Sequence, residues 1–230
     1  MYNNIVQQKF LSKDVLVMKR PMDLAYEYIK ERILNGTFLP SQKLNESDLA
    51  KEIGVSRNTI KKALLKLEQE HLVQTEENKG ATVKAYTLEE VLNYFEIREA
   101  LEELIINSST HHLSNEAIQK LETIHEQMGI YLNEGKFDDY SSLNKEFHKI
   151  IYEACSNQQA VELVNMIKAQ LMKYHLRTIL VPGRNVDSYN EHKAILEALK
   201  NRDPEAAKKA MRTHIANIRK VIEENHNFLM

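Results

Sequence analysis

Residues 48–73 read DLAKEIGVSRNTIKKALLKLEQEHLV, two helical stretches on either side of one glycine. Asn45, just ahead of ESDLAKEI, is a good N-cap, and Asp48 three positions on favours the positive end of that short helix. Gly54-Val55 predicts a tight turn, and Ser56 then caps a longer helix running to about Glu70. Upstream, RPMDLAYEYIKERILNG places Leu24, Ala25, Tyr28, Ile29, Ile33 and Leu34 at helical spacing, with Asn35-Gly36 as the stop. Downstream, HLVQTEENKGATVKAY predicts two short strands, with Val73 and Val83 flanking a polar ENKG hairpin tip. Three helices followed by a hairpin are the plan of a winged helix-turn-helix.

That plan gives the cations of the third helix a geometric purpose. Arg57, Lys61, Lys62 and Lys66 fall within three turns, on a helix of the right size for the major groove. Ser56, Arg57, Asn58 and Thr59 occupy its first turn, where side chains reach base edges; arginine pairs bidentately with guanine, and asparagine with adenine. Lys61 and Lys62 extend the contact along the backbone, and Lys79 beside Gly80 at the wing tip follows the adjoining groove. Lys66, a further turn away, reads as a solvated side chain. Charge alone does not decide the matter, because Glu68 and Glu70 follow and paired charges on a wet helix face are common.

The positive surface must be local, since the formal net charge of the 230 residues is -2. The hydrophobic share of 43% and charged share of 28% fit a soluble chain long enough for one large domain or two smaller ones. Only 6 glycines and 4 prolines argue against extensive sheet and long loops. Cys155 is the single cysteine, so an internal disulfide is excluded; it reads as a small buried side chain in a reducing cytosol. No apolar run approaches the roughly 18 residues of a membrane span. The opening stretch MYNNIVQQKFLSKDVLVMKR lacks a signal-peptide core, so a cytoplasmic location is expected and no membrane partner.

The boundary falls near Ala85–Thr87. It divides the chain into an N-terminal extension at 1–20, the winged helix-turn-helix at 21–86 and a helical effector-binding and dimerisation domain at 87–226. In the last of these, TLEE offers a capping box, and Ser114 caps a helix that stops near Gly135. Further helices are expected over Tyr140 to about Ala154 and Gln158 to Val181; SYNE reads as the capping box of a fifth, and Asp203-Pro204 starts the sixth. The fold class is therefore mainly α, a winged helix-turn-helix followed by an antiparallel all-α bundle.

Polar residues recur on the apolar faces of these helices. His148 follows Phe147 and precedes Ile151, with Asn144 one turn earlier on the same face; His192 lies near Ile195 and Leu196, and His214 near Met211 and Ile215. A single such histidine is more often a satisfied core residue, but three converging on one cavity favour a built site. Arg98 lies on the apolar stripe of the first bundle helix and needs an anion, either a structural Glu or a ligand carboxylate. His111, His112, His125, His175 and His226 lack this pattern and read as surface or packing residues.

The order DLAKEIGVSRNTIKKALLKLEQEHLV followed by NKGATV resembles the DNA-binding domain of the GntR family of bacterial transcription regulators. Carried over by position, the resemblance makes Ser56, Arg57, Asn58, Thr59 and Lys61 the DNA-contacting set, with Lys79 and Gly80 at the wing. The chain departs from the usual pattern at Lys61, where arginine is common, at Asn58-Thr59-Ile60, at Ser47, and at His71 in place of glycine, so the operator sequence does not transfer. EIREALEELI, LNKEFHKIIYEA, EHKAILEAL and AMRTHI, in that order over most of residues 87–224, resemble the six-helix FCD effector domain of the FadR-like branch of the family.

This second resemblance implies a homodimer, which suits a protein reading two DNA half-sites. It also implies that Asn144, His148, His192 and His214 hold a divalent metal ion, zinc or nickel by donor type, and that Arg98 meets the carboxylate of a small organic acid effector nearby. Tyr174, Arg177 and Arg184 are further candidates for the cavity wall. The function so implied is that of a DNA-binding transcription regulator, a repressor in the commoner family behaviour, bound to operator double-stranded DNA and controlled by the acid. Two alternatives stay open: a metal-stabilised regulator without a small effector, and a metal-dependent hydrolase. The hydrolase is disfavoured because no inward acid/base group stands beside the set, and no catalytic residue is expected.

Overall fold

Pro21 at the first turn opens α1 (Pro21–Leu34), where the missing proline N–H is no loss; Ala25 and Ile29 are its fully buried residues. This computed structural model describes residues 19–76, 80–178 and 181–229, with backbone only at 173–177, 228 and 229. In α2 (Glu46–Ile53) Asn45 Oδ1 accepts from the amides of Ser47 and Asp48 at 2.8 and 3.3 Å. Gly54 then turns the chain at φ 78°, and Ser56 Oγ accepts from the Thr59 amide at 3.1 Å to start α3 (Arg57–Gln69). Ile60, Ala63, Leu64 and Leu67 bury one face of α3 against α1 and α2.

The wing has one more strand than the sequence predicts. β1 (Lys43–Leu44) joins β2 (Val73–Glu76) and β3 (Gly80–Val83) in an antiparallel sheet of order β1-β3-β2, with Val73 opposite Val83 and Leu44 opposite Ala81. A two-residue strand has no periodicity of its own; it exists because it pairs with β3 and buries Leu44. Residues 77–79 of the tip lie outside the described residues, so the wing expectation for Lys79 does too.

The helical half runs α4 (Leu88–His112), α5 (Asn115–Asn133), α6 (Phe137–Glu153), α7 (Gln158–Thr178), α8 (Arg184–Lys200), α9 (Pro204–Glu224) and a terminal turn, α10 (His226–Leu229). Thr87 and Glu90 form the expected reciprocal capping box, and Asp203 caps α9 ahead of Pro204. α4 packs along α9 and α7, α8 along α9 and α5, and α5 along α6. Phe95, Ile105, Leu121, Met128, Phe147, Ile151 and Ile215 are among the buried core between them.

Three helix ends differ from the expectations. α6 starts at Phe137, three residues before Tyr140, because Asp138 and Asp139 favour its first turn even though Lys136 gives no side-chain cap. Val181, the expected end of α7, is no longer helical, the helix being described as far as Thr178. SYNE caps nothing: α8 already begins at Arg184, after Gly183 reverses the chain at φ 84°, so Ser188 lies buried inside the helix. Among the described residues no helix is long and apolar enough to cross a membrane.

Two side chains from beyond the wing reach back to the end of α3. Gln170 Nε2 on α7 donates to the Glu70 carbonyl at 3.0 Å, and Tyr86 OH donates to the His71 carbonyl at 2.7 Å. His71 itself sits at φ 57°, a left-handed conformation that suits glycine better than histidine.

Candidate functional site

The outer face of α3 is wet and basic. Arg57, Asn58, Lys61 and Lys62 are exposed opposite the buried Ile60–Leu67 stripe, while Thr59 is half-turned inward with its hydroxyl 2.8 Å from that of Ser56. Arg57 is 65% exposed, and its Nη2 lies 3.3 Å from Glu46 Oε2 on α2, so the first turn of α3 carries an arginine steadied by a carboxylate. Lys66 is not simply solvated: its ammonium lies 3.8 Å from the centre of the Tyr26 ring. Gly80 begins β3 with φ 88° and pairs with Glu76 at the tip end of the wing.

In the helical half, α6, α8 and α9 bring His148, His192 and His214 together, with one ring nitrogen of each within 4.8 Å of the others. All three are buried, at 4%, 0% and 1% exposure. The partners settle much of the tautomer problem. His192 Nδ1 lies 2.6 Å from the Ser188 carbonyl, which only accepts, so Nδ1 carries the proton and Nε2 presents a lone pair 3.2 Å from His148 Nε2. His214 Nδ1 donates to Glu191 Oε2 at 2.7 Å, which leaves its Nε2 lone pair facing inward.

Burial keeps these rings neutral. It brings His192 down to about 3, holds His148 well below the ordinary imidazole range and lowers His214, in that last case against the opposing pull of Glu191. Burial pushes the Glu191 carboxyl up, yet the hydrogen bonds and charges of His214 and Arg184 outweigh it and bring it to about 2. Glu191 also takes both terminal nitrogens of Arg184, at 3.1 and 2.8 Å, and Asn217 Nδ2 at 2.7 Å. A carboxylate holding the far nitrogen of an inward imidazole is the arrangement that orients metal-binding histidines.

Asn144 lies one turn before His148 on α6 and lines the same cavity, of about 300 Å³. Asn144 Oδ1, His148 Nδ1 and His214 Nε2 are buried without a hydrogen-bond partner among the described residues. Inward lone pairs on His192 and His214 beside His148 Nε2 and an unpartnered amide oxygen make a donor set that fits a divalent cation.

Arg98 also lines this cavity, 3% exposed, and the structure supplies its anion: Nε lies 3.1 Å from Glu102 Oε1 one turn along α4. Glu102, fully buried, also accepts from Tyr152 OH at 2.6 Å, while its Oε2 has no partner. Arg184 lines the cavity as expected; the side chains of Tyr174 and Arg177 lie outside the described residues. His125, one of the packing histidines, is stacked on Tyr189 with ring centroids 4.2 Å apart.

Sequence reasoning missed Glu46, Glu102, Glu191 and Lys168. Glu102 was readable from the four-residue spacing to Arg98. Glu191 was hidden by the reading of SYNE as a helix start, and Glu46 and Lys168 gave no signal, since their partners come from other elements.

Comparison with known proteins gives the architecture its relatives. Residues 22–83 match the family of bacterial regulatory proteins called gntR, and residues 93–217 match the FCD domain. The HTH-type transcriptional regulator YdhC of Bacillus subtilis (strain 168) is 28% identical over 204 residues, 86% of this chain and 91% of its own length. The HTH-type transcriptional repressor RspR of Escherichia coli (strain K12) is 23% identical over 207 residues, 88% and 91% of the two chains. Among solved structures, E. coli McbR/YncC superposes with a TM-score of 0.75 over 91% of this chain and 100% of its own, at 17% identity, a likeness of fold. With a matching helix-turn-helix, a matching FCD domain over more than half its length and regulators as its relatives, the chain belongs to the GntR family of bacterial transcription regulators, in the branch that carries an FCD domain, and is not an enzyme.

Proposed function

We propose that this regulator is a cytoplasmic homodimeric repressor whose hold on operator DNA is controlled by a small organic acid bound beside a divalent metal ion in the helical domain. The observation that carries the reading is the donor set of Asn144, His148, His192 and His214, with the three imidazoles converging and with Asn144 Oδ1 and His214 Nε2 buried without a hydrogen-bond partner among the described residues, opening on a cavity of about 300 Å³. That space equals roughly ten water molecules, enough for a small acid. An ion bound there supplies positive charge for a carboxylate. Glu191 and the Ser188 carbonyl fix the His214 and His192 tautomers in the ligand form, and Phe147 packs edge-on against His192 at 5.1 Å.

On the DNA side, Arg57 and Asn58 read base edges with Ser56 and Thr59 beside them in the first turn, Lys61 extends the contact along the backbone, and Lys79 with Gly80 at the wing tip follows the adjoining groove. Ile97 and Leu104, two turns apart on α4, are 51% and 46% exposed, and Leu163 on the adjacent α7 is 48% exposed. This apolar face supports pairing of two copies, which in turn matches the two half-sites of an operator.

Metal analysis of protein purified without chelator and reloaded with zinc or nickel, together with melting in the presence and absence of chelator, tests the centre. One ion per chain is expected, worth about 2.7 kcal/mol of stability at 100 times its Kd. His192→Ala and His214→Ala lose that gain, and Asn144→Asp binds at least as tightly because it adds a charge without changing reach. A chain that takes up neither metal overturns the site. A metal-loaded chain whose operator affinity no organic acid alters leaves only the metal-stabilised regulator.

A further inference from the structure

Of the cations lining the cavity, one that is not exposed has no carboxylate paired with it. Arg184 is matched by Glu191, and Arg98 by Glu102. Lys168, on α7, lines the same cavity yet has no carboxylate within ion-pair distance among the described residues. Its Nζ meets the Tyr152 hydroxyl at 3.3 Å and lies 4.6 Å from the centre of that ring. The Tyr152 proton is already committed to Glu102 at 2.6 Å, so Lys168 receives from it one oxygen lone pair for an ammonium with three donors. Glu102 favours the ammonium through space but is outweighed: Lys145 on α6 is a further cation, and Arg98 lies close enough to act against Lys168. Burial and that neighbouring charge bring Lys168 down to about 8, the mark of a cation short of an anion.

We propose that Lys168 forms a second-anion subsite, so that the effector is a small acid carrying two anionic groups, one held at the histidine centre with Arg98 and the other at Lys168. The inference rests on the reading above that the cavity takes an organic acid. Geometry supplies the spacing. Tyr152, which touches Lys168, lies one helical turn beyond His148 on α6, with ring centroids 6.0 Å apart. An acid with two or three carbons between its anionic groups spans a separation on the order of 6 Å, the rise of four helical residues. A ligand with one anionic group leaves the ammonium as underserved as before, and one with two satisfies both ends. The second group is a carboxylate or a phosphate, since an ammonium is a point charge that accepts either.

The test uses the full-length chain loaded with zinc and two matched probe pairs, succinate against butyrate and 3-phosphoglycerate against glycerate, followed by calorimetry. In the native chain the member with two anionic groups is expected to bind about 10-fold tighter or more in at least one pair, the worth of one charged hydrogen bond; which pair responds tells carboxylate from phosphate. Lys168→Gln brings that ratio to about 2 or less while leaving the singly charged acid within about 2-fold of its native affinity, and Lys168→Arg keeps the preference. A merely structural lysine would weaken both members of a pair together. Equal affinity within both pairs in the native chain, or a preference that survives Lys168→Gln, overturns the subsite while leaving the organic-acid reading intact. If none of the four acids binds the zinc-loaded chain, both are overturned.

Discussion

Replacing Arg98 by alanine strands a fully buried carboxylate. Glu102, 0% exposed, would keep only the Tyr152 hydroxyl on Oε1, and Oε2 already has no partner. Removing one member of such a pair costs about 3–5 kcal/mol, most of it the penalty of the uncompensated charge left behind. For a chain of this size about 2–4 °C per kcal/mol turns that into a fall in melting temperature of about 6–20 °C. Replacing both residues in Arg98→Met/Glu102→Met removes the stranded charge and leaves only Tyr152 without its acceptor, a loss of about 1 kcal/mol. The double variant is therefore more stable than Arg98→Ala, with a coupling of about 2–4 kcal/mol in a cycle completed by Glu102→Met. Urea unfolding followed by circular dichroism measures it. An Arg98→Ala chain within about 1 kcal/mol of native would refute the argument, and would mean that Arg98 exists for a ligand alone.

Arg57→Ala is expected to reduce discrimination of operator over random duplex by about 1–3 kcal/mol in titrations at fixed salt, whereas loss of a backbone-holding lysine weakens all sequences evenly. His71→Gly relieves the left-handed backbone at φ 57°. It should raise unfolding stability by about 0.5–1 kcal/mol, net of the added freedom of the unfolded chain; no gain in urea midpoint would speak against strain at that residue. Gln170→Ala leaves the Glu70 carbonyl without its side-chain donor, for a cost of about 1 kcal/mol. Hydrogen exchange of the amides in the last turn of α3 should speed up, and unchanged protection there would show the bond to be incidental.

Local signals that depend on a few adjacent residues were legible in the sequence. Asn45, Ser56, Thr87 and Asp203 each cap the helix that their spacing announces, because a cap is a bond between near neighbours. The three inward histidines were legible for the same reason, through the apolar residues one turn away on their own helices. What escaped depends on distant partners. β1 exists only by pairing with a strand some 40 residues later, and the start of α8 is set by a glycine and by the Arg184–Glu191 pair, which no cap motif reports. Glu46 and Lys168 became readable only when α2 and α3, or α6 and α7, were seen side by side.

The position of Gln170 sets a mechanical tolerance. Lys168 and Gln170, two residues apart on α7, are turned roughly 200° from each other about its axis, so the helix presents one to the histidine cavity and the other to the end of α3. Ala169 between them borders both that cavity and the cleft beside the winged half. At 3.0 Å, the Gln170–Glu70 bond has about half an ångström of slack before it stretches past the ~3.5 Å at which such a contact ceases to hold. A slide or roll of α7 no larger than the thermal displacement of an ordinary side chain is thus enough to unlatch the last carbonyl of the helix that carries Arg57.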